Sequence, residues 1–289
     1  MNTDILIELA IKEDIREGDI TSNCIISENS TTKAHIVFKQ SGILCGIDIA
    51  KKVLYKLDAK IKFKKFFEDG AMINEGEIVA IIEGKTKAII SSERILLNFL
   101  QHLSAIATTA NQYSEKAIKY DVKILDTRKT IPAFRELEKY AVSCGGCQNH
   151  RYGLFDMILI KDNHISAAGS LEKAINLVKN NQEFKKLRKA KAMKVELEVE
   201  TLEQLSKVFL KKLDKEINII MLDNFSIENT RKAVLLIRNA NKDIKIESSG
   251  CINLENIEEY AKTGIDFISI GAALTLSPKM VDISLEIIR

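Results

Sequence analysis

The sequence predicts an α/β protein in two parts, a β-rich segment with flanking helices followed by a parallel strand–helix array. Three observations carry this. Residues 31–90 hold strand-like runs punctuated by glycines, residues 92–119 repeat apolar residues three or four apart, and beyond residue 120 six short apolar runs alternate with helical stretches. With 289 residues, 46% of them hydrophobic, the chain can form one large or two ordinary domains, with a core that needs neither disulfide nor metal.

Asp4 to Ile15 carries apolar residues at helical spacing (Ile5 with Leu9, Leu6 with Ala10) and predicts a helix. Ala34–Phe38 and Glu77–Ile82 predict strands, with Gly70, Gly76 and Gly84 marking turns. Ser92 to about Lys119 predicts one long helix through Leu96, Phe99, Leu100, Leu103, Ile106, Ala107 and Ala110. The six later runs are 122–125, 157–160, 195–199, 217–222, 244–246 and 267–270. Helical stretches 171–179, 202–211, 230–238 and 254–262 lie among them, and Thr201 with Gln204 forms a capping box for one. Such alternation predicts parallel strands with crossover helices, as an open doubly wound sheet or as a barrel short of eight strands.

Composition excludes several classes. The longest nearly uncharged apolar stretch, Phe267–Leu276, is half the roughly 20 residues a bilayer requires. The start, Met1-Asn2-Thr3-Asp4, is acidic where a secretory signal is basic, so a cytoplasmic protein is expected. A balance of 43 basic and 40 acidic residues predicts no nucleic-acid partner. The basic run Lys185, Lys186, Arg188, Lys189, Lys191 and Lys194 has no interleaved aromatics and reads as a solvated helix end. Five cysteines fit no disulfide framework, and Cys144-Gly145-Gly146-Cys147 stands without a second metal-ligand pair.

Chemistry is expected where the strands end, because parallel α/β folds place their sites at the carboxyl edge. There stand Asp126-Thr127-Arg128-Lys129, Lys161-Asp162, Glu198 with Glu200, Asp223-Asn224, Ser248-Ser249-Gly250 and Gly271. Arg128, Lys129, His150, Arg151 and Lys161 form a cationic set that calls for a multiply anionic substrate. Glu196, Glu198 and Glu200 alternate and share one strand face, pointing inward, where cations or a metal would make burial cheaper. Glu198 and Asp223 suit Mg²⁺ or a developing cation. Ser249-Gly250 and Ile270-Gly271 offer backbone N–H groups before a helix, suited to phosphate. There is no Walker A loop, no GxGxxG and no nucleophile elbow. The residues alone indicate a barrel-like enzyme for small anionic substrates, one of them phosphorylated and Mg²⁺-bound.

At these residues the sequence resembles the quinolinate phosphoribosyltransferase family. The matching segments are Glu13–Thr21, Glu93-Arg94 with Leu97–Gln101 and Ser104–Thr108, then Asp126-Thr127-Arg128-Lys129-Thr130 and Asn149–Leu154. They continue through Leu159–His164, the Glu-rich strand, Met221-Leu222-Asp223-Asn224 and Asp282–Leu285. The resemblance implies an N-terminal α/β sandwich (1–110) and a C-terminal incomplete, open β/α barrel of the type II phosphoribosyltransferase kind (111–275), with 276–289 packing on the first. It implies transfer of phosphoribosyl from phosphoribosyl pyrophosphate (PRPP) to quinolinate, giving nicotinate mononucleotide, pyrophosphate and CO₂ in NAD biosynthesis. Mg²⁺, and a homodimer or higher homo-oligomer with shared sites, are implied as well.

Roles follow by motif. Arg94, from a second subunit, resembles a quinolinate-carboxylate binder, Arg128, His150 and Arg151 resemble the rest of that pocket, and Thr127 is a further substrate-binding residue. Lys129 and Lys161 resemble residues that touch both substrates and offset charge on the leaving pyrophosphate. Glu198 and Asp223 resemble the carboxylates that meet Mg²⁺ and the ribose hydroxyls; Glu198 is chosen over Glu196 from its spacing to Asp223. Ser249, Gly250, Cys251, Ile270, Gly271 and Ala272 match backbone phosphate contacts. Two departures stand out: Ser249-Gly250-Cys251 replaces the usual Ser-Gly-Gly, and 271–277 carries an extra residue and lacks a His. A sister family associated with molybdenum transport, a Schiff-base lyase using Lys161 and a non-catalytic binder are weaker readings.

Overall fold

The computed structural model describes residues 3–288, apart from the side chains of residues 188–191. Of the basic run, Arg188, Lys189 and Lys191 therefore lie outside the described side chains, while Lys185, Lys186 and Lys194 are exposed. The chain forms two compact units. One comprises the residues up to Gln112, Lys129–Cys147 and the segment from Ala272 onward; the other comprises Tyr113–Arg128 and Gln148–Gly271. The expected division at residue 110 misses that 129–147 returns to the first unit. That return is tightly fitted. A Cβ on Gly145 would stand 2.2 Å from the Ala107 carbonyl oxygen, and the Cys147 thiol donates to the Ala110 carbonyl at 3.1 Å.

The first unit begins with α1 (Thr3–Asp14), α2 (Ile20–Ile25), β1 (Thr31–Phe38), β2 (Gly42–Ile43) and α3 (Ile47–Leu57). It continues with β3 (Lys62–Lys65), β4 (Met72–Ile73), β5 (Ile78–Lys85) and α4 (Thr86–Ile118). Helix α1 lies where the periodicity predicts, but it buries Ile7 and leaves Ile5 and Leu9 about half exposed. Its polar side is tied to α3 by Asp4–Lys52 and Glu8–Lys56 ion pairs. Gly70 and Gly76 turn the chain at positive φ; Gly84 instead lies inside β5, where a Cβ would meet Ile61 at 2.7 Å. The antiparallel sheet is completed by β12 (Ile283–Ile287), in the order β12–β1–β5–β3. The two-stranded β2–β4 sheet is separate. Helix α4 carries the predicted apolar stripe, with Leu96, Leu100, Leu103, Ile106, Ala107 and Ala110 buried.

Beyond α4 come β6 (Lys123–Leu125), α5 (Arg135–Cys144) of the first unit, β7 (Ile158–Ile160) and α6 (Asp162–Ala168). They are followed by α7 (Leu171–Asn180), α8 (Gln182–Lys191), β8 (Val195–Val199), α9 (Leu202–Leu210), β9 (Ile219–Asp223) and α10 (Ile227–Ala240). The series closes with β10 (Lys245–Ser249), α11 (Ile257–Ala261), β11 (Phe267–Ser269) and α12 (Ala272–Thr275). All six predicted strands form. Side-chain caps start the crossover helices: Ser170 for α7, Thr201 for α9 and Ser226 for α10. The capping box at Thr201 is half made, because Gln204 Oε1 takes the N–H of Glu200 rather than that of Thr201.

The six strands are parallel in the order β6–β11–β10–β9–β8–β7. The first strand thus pairs with the last, and the array opens between the first and the second. That is a β/α barrel lacking strands, with its gap beside β7. Gln148 adds a single parallel bridge to Leu125 on the other side of the gap. Register aligns Leu125, Ser269, Ser249 and Asp223 in one row at the carboxyl edge.

Gly145 offers a direct check on the packing of the returning segment. Gly145→Ala is expected to cost about 3 kcal/mol, since the clash is with backbone and cannot be relieved by a rotamer change; denaturant unfolding at constant pH measures it.

Candidate active site at the carboxyl edge of the parallel sheet

The second unit gathers its polar side chains where its strands end. Lys161 follows β7, and its ammonium pairs with the Glu198 carboxylate of β8. Asp223 ends β9 and accepts the Asn224 side-chain amide at 2.7 Å. Asp126, fully buried after β6, accepts the backbone N–H of His150 at 2.8 Å. Arg128 and Arg151 are half-buried close together. Burial and the neighbouring Arg128 guanidinium pull the Arg151 pKa below its ordinary value. Two cations held against their own repulsion form a site for an anion.

Glu196 and Glu198 sit two residues apart on β8, facing the same way. Glu198 is 7% exposed at the mouth, and desolvation raises its pKa despite the Lys161 ammonium. Glu196 lies deeper, with no exposed surface. Burial pushes its pKa up to about 7. Glu200, expected on the same inward face, is exposed beyond the strand end. Glu247 of β10, which the sequence reading passed over, is also wholly buried, and desolvation with Glu196 beside it raises its pKa well above the carboxylate range.

His150, of the expected cationic set, is held beside buried acid. Its Nδ1 accepts the Arg151 N–H at 2.7 Å, so Nε2 carries the hydrogen and faces Glu196 Oε2 at 2.9 Å. The ring faces buried acid without a hydrogen bond to it.

The turns expected to cradle phosphate differ in detail from expectation. Ser249-Gly250 leads into turns across 251–256, not directly into a helix, and the helix after Gly271 is the single turn α12. The Ile270 N–H already donates to the Leu125 carbonyl at 2.9 Å, so that amide belongs to the strand ladder. Gly250 has φ +91°, and a Cβ there would stand 2.1 Å from Asn224 Oδ1. Only glycine fits between β9 and β10 at this height. Cys251, exposed, holds the left-handed φ of 53° that a glycine adopts freely.

Three assigned residues, Arg94, Lys129 and Ala272, belong to the first unit. Arg94 is exposed on α4 and lines a cavity of about 330 Å³ with Glu13, Asp14, Phe99, His102 and Phe134. Lys129 is exposed, and its carbonyl accepts the buried Thr275 hydroxyl. All five cysteines are free thiols, and Cys45 and Cys147 are buried. No helix among the described residues is long and apolar enough to cross a membrane.

An open parallel barrel with paired cations, a lysine–glutamate pair and two carboxylates on neighbouring strands has the make-up of a phosphoribosyltransferase. Comparison with known proteins specifies which kind. Residues 19–104 match the N-terminal domain, and residues 106–286 the C-terminal domain, of quinolinate phosphoribosyl transferase. The chain belongs to that family. A probable carboxylating nicotinate-nucleotide pyrophosphorylase of Methanocaldococcus jannaschii is 41% identical over 98% of this chain and 96% of its own. Its counterpart in Bacillus subtilis is 40% identical over 95% and 90%. The solved nicotinate-nucleotide pyrophosphorylase of Francisella tularensis superposes with a TM-score of 0.87 at 39% identity, covering 100% of this chain and 98% of that one. The chain is an enzyme of this transferase class, with the α/β sandwich and open barrel of that family.

Two outcomes are expected at this site. Raised pKa values at Glu196 and Glu247 mean the folded state holds protons that the unfolded state releases. Stability therefore falls as pH rises from the ordinary carboxylate range towards and past neutrality, and Glu247→Gln flattens that fall in thermal melts taken across pH 5–8. Cys251→Gly relieves a left-handed non-glycine residue and adds up to about 1 kcal/mol of stability, read from the same melts at one pH.

Proposed function

We propose that this chain joins quinolinate to PRPP at the carboxyl edge of its parallel sheet, releasing pyrophosphate and CO₂ and yielding nicotinate mononucleotide for NAD biosynthesis. The observation that carries the reading is the arrangement of opposed charges on neighbouring strands: crowded guanidinium groups at Arg128 and Arg151, then Lys161 with Glu198, then Asp223. A dicarboxylate meets the first, and a pyrophosphate ester with its cationic transition state meets the rest.

Arg128 and Arg151 bind the quinolinate carboxylates, with Thr127 and His150 beside them. Arg94 of a second copy completes the pocket. Apolar residues left uncovered on α1 and α2 support such a homo-oligomer, since Leu9, Ile20 and Ile25 are 55–80% exposed. Lys129 and Lys161 offset the charge that builds on the departing pyrophosphate. Glu198 and Asp223 face the ribose, where C1 gains positive character as the bond to pyrophosphate breaks and the pyridine nitrogen adds. The turns at Ser249–Cys251 and Gly271–Ala272 hold phosphate. Loss of CO₂ follows because the quaternised ring nitrogen accepts the electrons of the adjacent carbon–carboxylate bond.

Mg²⁺ fits the donors available. Glu198 and Asp223 lie on neighbouring strands, close enough for the Asp223 charge to raise the Glu198 pKa. Both supply oxygen alone, and Mg²⁺ takes one or two carboxylates plus substrate phosphate. Bound with PRPP, it would neutralise pyrophosphate charge. The enzyme is assigned to the cytoplasm.

The test is product formation from quinolinate, PRPP and Mg²⁺, read by chromatography for nicotinate mononucleotide, with nicotinate substituted in a parallel reaction. Product with quinolinate alone is expected; product with nicotinate alone, or with neither, would falsify the assignment. Lys161→Ala is expected to lower kcat by roughly 10²–10³, the effect of removing one preorganised charge from a transition state.

A further inference from the structure

Beneath Lys161 and Glu198 the second unit buries a polar cluster to which the transfer reaction assigns no task. Glu196 of β8 and Glu247 of β10 are wholly shielded from solvent. Both face the His150 ring: Nε2 lies 2.9 Å from Glu196 Oε2 and 3.6 Å from Glu247 Oε2. Glu247 also accepts the hydroxyl of Ser269 on β11. Buried Asp126, just past β6, holds the His150 N–H, and the His150 Nδ1 holds the Arg151 N–H. Groups from four strands or their ends therefore converge on residues 150–151, which belong to no helix or strand.

Stability does not account for this arrangement. Two carboxyl groups buried side by side are penalised by desolvation and by their mutual repulsion. Apolar side chains of similar volume would fill the same space at lower cost. What the cluster does provide is direction. A segment without a backbone ladder keeps its side chains in place through contacts with a rigid scaffold; here these are the close approach of both acids to the His150 ring and the hydrogen bonds at the amides of His150 and Arg151.

We propose that Glu196 and Glu247 are positioning residues for the quinolinate half of the site. They clamp the His150 ring from below and, through its contact with the Arg151 amide, set where the Arg151 guanidinium meets a ligand carboxylate. This rests on the reading that a pyridine dicarboxylate is the ligand of Arg151. The residues assigned to PRPP are held otherwise, Glu198 by Lys161 and Asp223 by Asn224. Disturbing the clamp therefore affects one substrate and spares the other.

The full-length Glu196→Gln and Glu247→Gln proteins test this, because each change keeps side-chain volume. Steady-state kinetics in each substrate are expected to show KM for quinolinate raised roughly tenfold or more, KM for PRPP within about twofold, and a melting temperature no lower than the parent's. Ser269→Ala, which loosens Glu247 alone, gives a smaller rise in the same direction and carries the test if the amide variants fail to fold. Equal changes in both KM values, or no change, overturn the proposal. One equivalent of divalent metal retained by the parent and lost from either amide variant overturns it too, because the pair would then be metal ligands. A parent that makes no nicotinate mononucleotide defeats the functional reading and this inference with it; an active parent whose variants show no split defeats this inference alone.

Discussion

The second unit depends on the pairing of its first strand with its last. Strand β6 lies against β11, and that pairing lines up Leu125, Ser269, Ser249 and Asp223 at one height. Residues that follow these strands in the chain, Arg128 among them, therefore start from a common edge. The same choice of neighbour leaves β6 and β7 unpaired with each other. A crossover that would ordinarily pack on the array is released, and residues 129–147 fold with the first unit instead. The open side of the barrel and the divided origin of the assigned residues are two results of one topological fact.

Within the array, charge is arranged by depth. Arg128 and Arg151 crowd each other near the edge, Lys161 pairs with Glu198, and Glu196 with Glu247 lies below beside His150. The edge carries guanidinium groups that crowd each other. Desolvation raises the pKa of both deepest acids, and for Glu247 it does so against the attraction of His150 beside it. Lys161, Glu196, Glu198 and Asp223 lie on or directly beside strands, so their placement comes from the sheet.

Much of this was legible beforehand, for identifiable reasons. Each of the six parallel strands shows as an apolar run because both of its faces are covered. The long helix α4 shows because its stripe of Leu96, Leu100 and Leu103 runs unbroken. Motif segments at strand ends identified the family. What escaped depends on contacts between distant residues. Nothing in 129–147 announces that Gly145 needs the Ala107 backbone beside it. Helix α1 has the right period but buries Ile7, because its docking face is chosen by α3. Gly84 resembles a turn residue and is a strand residue beneath Ile61. Glu247 could have been suspected, since its alternation with Ser249 puts it on the face of the strand that Ser249 shares. The hydrogen bond that His150 Nδ1 accepts from the Arg151 amide could not, as it depends on the path of the loop.

Both units are also closed late in the chain. Strand β1 pairs with β12, where Ala34 meets Ile287, and β6 waits for β11, where Leu125 meets Ser269. During synthesis neither sheet can acquire its final neighbour until the C-terminal segments have left the ribosome. For most of translation, β1 and β6 each present an unsatisfied strand edge, and long-range pairing of this kind is slow to form. Production of the protein is therefore sensitive to how those edges are shielded in the interval. Slower growth temperature and chaperone capacity, more than codon-by-codon pacing of the early domain, should govern how much of it emerges folded.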